Sequence, residues 1–126
     1  MKTEKAYKTE YLNETVKISD GGNFIIFVPD YFIDSEKRKR FAYSVFTNCD
    51  INFAKSVFSN IHKYKEIKLD GYSKKWFFYY DASPILQSVF ESDINLFKHS
   101  CTHDIYFIHY GSFGIKNIEE DRLFYF

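Results

Sequence analysis

Trp76-Phe77-Phe78-Tyr79-Tyr80 is a run of five consecutive aromatic residues that holds the only tryptophan of the chain, with Lys74-Lys75 before it and Asp81 after it. A strand with one wet face alternates apolar and polar residues, and this run does not. It predicts a strand covered on both faces, an inner strand of a sheet with packing above and below. A chain of 126 residues buries about two thirds of its unfolded surface, so it needs neither a disulfide framework nor a structural metal to make up a core.

The flanks of this strand carry punctuation. Glu66-Ile67-Lys68-Leu69 alternates, and Asp70-Gly71 is a tight hairpin turn leading back into the aromatic run. After it, Ser83 is suited to cap a helix with Pro84 at its first position. From Ile85 to Phe97 the apolar residues cover about half of a helical cylinder, with Asp93 in the middle of that arc. Either Asp93 is a carboxylate facing the core, or the helix breaks at Ser92 and Asp93 caps a second short turn; the Ser-Asp pair, common in caps, favours the break.

Toward the N-terminus, residues 1–9 are polar and expected to fray. Tyr11 to Ile18 reads as a strand, Asp20-Gly21-Gly22-Asn23 as a turn, and Phe24 to Val28 as the second strand of a hairpin, ended by Pro29. Asp34 or Ser35 is placed to cap a helix from Glu36 through about Asn48, with a stripe of Phe41, Ala42, Val45 and Phe46. The alternation of Phe41, Tyr43 and Val45 fits a strand as well. Asp50 caps a helix predicted from Ile51 to Tyr64, whose apolar residues fall within roughly 160° of arc. Asp104 to Tyr110 and Arg122 to Phe126 read as strands separated by a Gly111–Gly114 turn. The predicted order is β-β-α-α-β-β-α-β-β: an α+β domain over residues 10–126, largely antiparallel and built from hairpins.

Charge and composition bear on function. Lys+Arg and Asp+Glu are 17 each. The basic excess of a typical nucleic-acid binder is therefore absent, which argues against that partner apart from a local patch at Lys37-Arg38-Lys39-Arg40. Lys outnumbers Arg 14 to 3, and Phe, Tyr, Ile, Asn and Lys are all abundant. AT-rich codons favour that set, which accounts for much of the aromatic content without a dedicated recognition surface. Cys49 and Cys101 are expected to be reduced thiols. The first 18 residues lack the apolar core of a signal peptide, and no apolar run approaches the ~20 residues of a membrane span. A cytoplasmic protein without membrane association is expected.

The densest set of potential ligands is His99-Ser100-Cys101-Thr102-His103, with His109 beyond it. In an extended chain His99, Cys101, His103 and His109 would share one face, as a metal site or a Cys-His nucleophile requires. Their spacing matches no established zinc pattern, and the segment sits where a helix gives way to a strand. No phosphate loop or dinucleotide fingerprint occurs, and no cofactor is implied. By elimination, the expected role is to bind another protein, as an inhibitor that neutralises a toxin (an immunity protein) or a defence factor. Tyr72, Lys74, Lys75, Tyr110, Glu119, Glu120 and Asp121, all near turns, are the candidate contact residues. A small hydrolase or transferase using His99, Cys101, His103 or His109 is the alternative.

Overall fold

The computed structural model describes residues 4–7, 16–19, 22–67, 75–82, 87–108 and 122–125. Ten elements follow in order: β1 (Glu4–Tyr7), β2 (Val16–Ser19), β3 (Phe24–Ile33), β4 (Lys39–Thr47), α1 (Ile51–Val57), β5 (Ile61–Glu66), β6 (Trp76–Asp81), α2 (Gln87–Ser100), β7 (Asp104–Phe107) and β8 (Leu123–Tyr125). Six strands form one sheet in the order β5-β6-β4-β3-β7-β8, and β1 pairs with β2 in a separate two-stranded sheet. The fold is α+β. The pairs β5·β6, β6·β4 and β4·β3 are antiparallel, whereas β7 runs parallel to both β3 and β8. The helix α2 carries the chain from β6 across β4 and β3 to β7, and such a crossover returns a strand in the same direction.

The aromatic run is β6, held between β5 and β4 as an inner strand. Phe78 and Tyr80 point to the helix-bearing face and Phe77 to the other, and all three are buried. At the centre of the helix-bearing face, Phe27 meets Tyr43, Phe58 and Phe90 edge-on and stacks on Phe107 at 5.4 Å. Phe90, Ile94 and Phe97 of α2 and Ala54 and Val57 of α1 close this layer. Phe24, Ile26, Val28, Phe46, Phe77, Tyr106 and Ile108 form a second buried cluster on the opposite face. Covering both faces is what a continuous apolar strand requires.

Several expectations are corrected. The residues expected to form a helix from Glu36 to Asn48 instead make a turn followed by β4, which pairs with β3 in an unbroken register from Ile25–Thr47 to Ile33–Lys39. Asp34 does act as a cap, but of that turn: its carboxylate accepts the amides of Glu36 and Arg38, each at 2.9 Å. The predicted pairing of Tyr11–Ile18 with Phe24–Val28 is replaced, since β2 pairs with β1 and β3 with β4 and β7. The strand β1 itself lies within the stretch expected to fray.

Pro29 does not end its strand. The Phe27 carbonyl accepts Ile108 N, so odd-numbered residues of β3 direct their backbone polar groups toward β7. The pairing with β7 stops at Phe27–Phe107, so the missing N–H of Pro29 leaves the β3·β4 ladder intact.

The helix predicted from Ile51 to Tyr64 stops at Val57, because Phe58 is already extended (φ −90°, ψ 112°). The chain then turns at Ser59-Asn60 into β5. The break predicted at Ser92-Asp93 does not occur; α2 is continuous over 14 residues. Asp93 faces the sheet, where the Tyr80 hydroxyl donates to its carboxylate at 2.7 Å. The same oxygen accepts from Ser59 Oγ (3.1 Å) and Ser59 N (3.3 Å), so one side chain joins α2, β6 and the α1–β5 loop. No helix is long and apolar enough to cross a membrane among the described residues.

Candidate functional site

The described residues do not cover the sheet along its whole length. Tyr43 of β4 is buried and stacks on Phe90 of α2 at 4.9 Å. Farther along the same face, β3 and β4 continue as a two-stranded ribbon on which Tyr31 is 48%, Ile33 50% and Phe41 45% exposed. Tyr31 and Phe41 are directly opposed in the register, as are Ile33 and Lys39. Tyr31 and Phe41, with Pro29, Asp30 and Lys39, line a cleft of about 540 Å³. A cross-strand aromatic pair stabilises its ribbon by about 0.2–1 kcal/mol. That rationalises Tyr31 beside Phe41 but not the added apolar surface of Ile33.

The base of the ribbon is stiffened by polar contacts. Ser44 Oγ donates to Asp30 Oδ2 at 2.5 Å, and Arg40 Nη2 donates to Asp81 Oδ2 at 3.0 Å, tying β4 to β6. The tip is a tight turn with Lys37 at φ 62°. There Arg38 forms ion pairs with Asp34 at 3.3 Å and Glu36 at 2.8 Å. Donation from the Arg38 backbone amide is the largest of the effects that hold the Asp34 carboxyl below its usual range. The basic run from Lys37 to Arg40 is thus half neutralised: both arginines are paired, whereas Lys37 and Lys39 have no carboxylate partner among the described residues. Lys39 Nζ sits 4.0 Å above the Tyr31 ring, at the border of the apolar patch.

The histidine and cysteine cluster lies elsewhere, at the end of α2. His99 is in the last helical turn, so it does not alternate with Cys101 and His103 as an extended run would. Cys101 Sγ donates to the Phe97 carbonyl at 3.3 Å, and burial raises its pKa, against the lowering effects of the His103 backbone and Arg122. Cys49 is buried, and burial, followed by the nearby Cys101 and Asp50, pushes its pKa up to about 12. Both effects keep the thiols protonated and poorly nucleophilic. His103 packs edge-on against Phe97 at 5.6 Å, and neither ring nitrogen has a hydrogen-bond partner among the described residues. The Arg122 guanidinium donates to the carbonyls of Lys98, Cys101 (2.6 Å) and His103 (3.4 Å), and so caps the C-terminal end of α2. No group of three His, Cys, Asp or Glu side chains is placed to hold a metal ion among the described residues.

Of the turn residues expected to make contacts, Lys75 is half-buried before β6, where its carbonyl accepts Ile67 N at 3.1 Å. Tyr72, Lys74, Tyr110, Glu119, Glu120, Asp121 and His109 lie outside the described residues. The sequence reading missed Tyr31, Ile33 and Phe41. Their signal was present as the alternation of Tyr31 with Ile33, and of Phe41 with Tyr43, on either side of a polar turn. When the chain is compared with known proteins, no family model, no curated protein and no solved structure matches it.

Proposed function

We propose that this chain is a protein-binding module of the inhibitor class, directed at a toxin or a defence factor, and that it docks through the outer half of the β3–β4 ribbon. The supporting observation is the set of three large apolar side chains, Tyr31, Ile33 and Phe41, about half exposed on one face of a hydrogen-bonded ribbon. Contiguous exposed apolar surface on a well-packed protein marks an interaction site. Tyr and Phe held on a rigid backbone lose little conformational entropy on docking, which makes them effective anchors.

The partner's chemistry follows from the rim. Of the cations at the tip, Arg38 and Arg40 are paired with Asp34, Glu36 and Asp81, which leaves Lys37 and Lys39 without a carboxylate partner among the described residues. An apolar recess bordered by carboxylates is the complementary surface. A stiff ribbon inserted into such a recess blocks it.

The test compares wild type, the double variant Tyr31→Ser/Phe41→Ser and the control Leu96→Ser in affinity capture from the native lysate, quantified by mass spectrometry. Leu96 is exposed on α2. An acidic protein retained by wild type and control, and weakened about tenfold or more by the double variant, supports the reading. An identical captured set for all three overturns it. The substitutions are at exposed sites and cost the free protein about 1 kcal/mol or less, so thermal melting separates lost binding from lost folding.

A further inference from the structure

A second site lies between the end of α1 and the edge strand β5, and it does not rest on the ribbon reading. A cleft of about 410 Å³ opens there, lined by Lys55, Phe58, Ser59, Ile61, His62, Lys63 and Tyr64. Tyr64 is about half exposed, with Lys55 Nζ 4.4 Å from its ring centre and 3.3 Å from its hydroxyl. Lys63 has φ 49°, a left-handed conformation unusual for a residue with a side chain. It sits in a register irregularity between His62 and Lys65. Bulges at sheet edges re-aim side chains and discourage pairing with a further strand, so this edge is better suited to a ligand than to another sheet.

The charges of the cleft are unbalanced. Lys55 and Lys63 form no ion pair among the described residues. Asp93, reached through Ser59, has its Oδ2 committed to Ser59 and to the Tyr80 hydroxyl. Two ammonium groups without a carboxylate partner among the described residues, one of them resting on a half-exposed aromatic ring, answer the two needs of a nucleotide: neutralisation of its phosphate and a surface for its base. We infer that the α1–β5 cleft binds a nucleotide unit, with its phosphate on Lys55 and Lys63 and its base stacked on Tyr64. The unit comes either from a free nucleotide or from single-stranded nucleic acid.

The chain provides its own reporter. Trp76 is the only tryptophan, and its ring centre is 6.2 Å from that of Tyr64. Its fluorescence is titrated with thymidine monophosphate, a ten-nucleotide thymidine strand and inorganic polyphosphate of matching charge, over a range of salt concentrations. Saturable change with the strand, with or without the mononucleotide, is the expected result; the mononucleotide arm decides between the two sources. Tyr64→Leu is expected to weaken strand binding about tenfold. Lys55→Gln and Lys63→Gln should each reduce the log–log salt slope by about 0.7. No binding of either nucleotide probe at millimolar concentration overturns the inference. So does polyphosphate binding equal to that of the strand with Tyr64→Leu unchanged, since that pattern describes a polyanion patch without base recognition. Leu96→Gln, on the exposed side of α2, is the unaffected control.

Discussion

Two side chains show how much local chemistry depends on contacts made far away in sequence. Asp93 accepts the Tyr80 hydroxyl and the backbone and side chain of Ser59, so Asp93→Ala leaves those donors without their partner. The expected cost is about 1–3 kcal/mol, read as a lower urea midpoint. Tyr80→Phe should cost much less in the Asp93→Ala background than in wild type, because the pair acts as one unit. His103 is held neutral: burial, then Arg122, lowers its pKa from 6.5. The unfolded chain takes up that proton at higher pH than the folded one. This contribution to stability is therefore complete above the unfolded value, declines as pH falls below it, and levels off once the folded His103 is itself protonated. His103→Leu should flatten this part of the stability curve, measured as urea midpoints at pH 7.5 and 5.5. An equal loss in both proteins would remove His103 as the cause. The helical arc already allowed Asp93 as a core-facing carboxylate, but Ser-Asp cap chemistry pointed to a break instead, and its partners Tyr80 and Ser59 were not visible; His103 resembled a ligand because its burial depends on Phe97 and Arg122.

At the scale of elements, the sequence was read well where one period dominated and poorly where two competed. The aromatic run of β6 had no alternation and became an inner strand. The segment 39–47 satisfied both a helical stripe and a strand alternation, and its long register with β3 decided the outcome. Asp34 misled for a physical reason: the same carboxylate chemistry caps helices and closes tight turns. The arc from Ile51 to Tyr64 was helical in pattern, but Ser59-Asn60 turned the chain and Tyr64 joined a strand. The bulge in β5 gives a test at this scale. Lys63→Gly removes the steric penalty of φ 49° and should keep or raise stability by up to about 1 kcal/mol. Lys63→Val, with a branched Cβ, should lower stability; equal melting temperatures for the two variants would mean that the backbone there is not constrained as described.

For the molecule as a whole, α+β with a mainly antiparallel sheet was recoverable from the order of hairpins and helices. The parallel addition of β7 to β3 and β8 to β7 was not, because strand direction depends on which edge α2 delivers the chain to. The candidate contact surface followed the same logic. Its three apolar residues lie on two strands joined by a turn whose residues also fit a helix start, so no sequence window displays them together. The central claim is that this ribbon is where the protein meets its partner. Site-specific photo-crosslinking in the native cell tests it most directly, with a benzophenone side chain in place of Phe41 in one variant and of Leu96 in another. The account predicts a discrete crosslinked protein from position 41 and none from position 96; crosslinking from position 96 alone would contradict it.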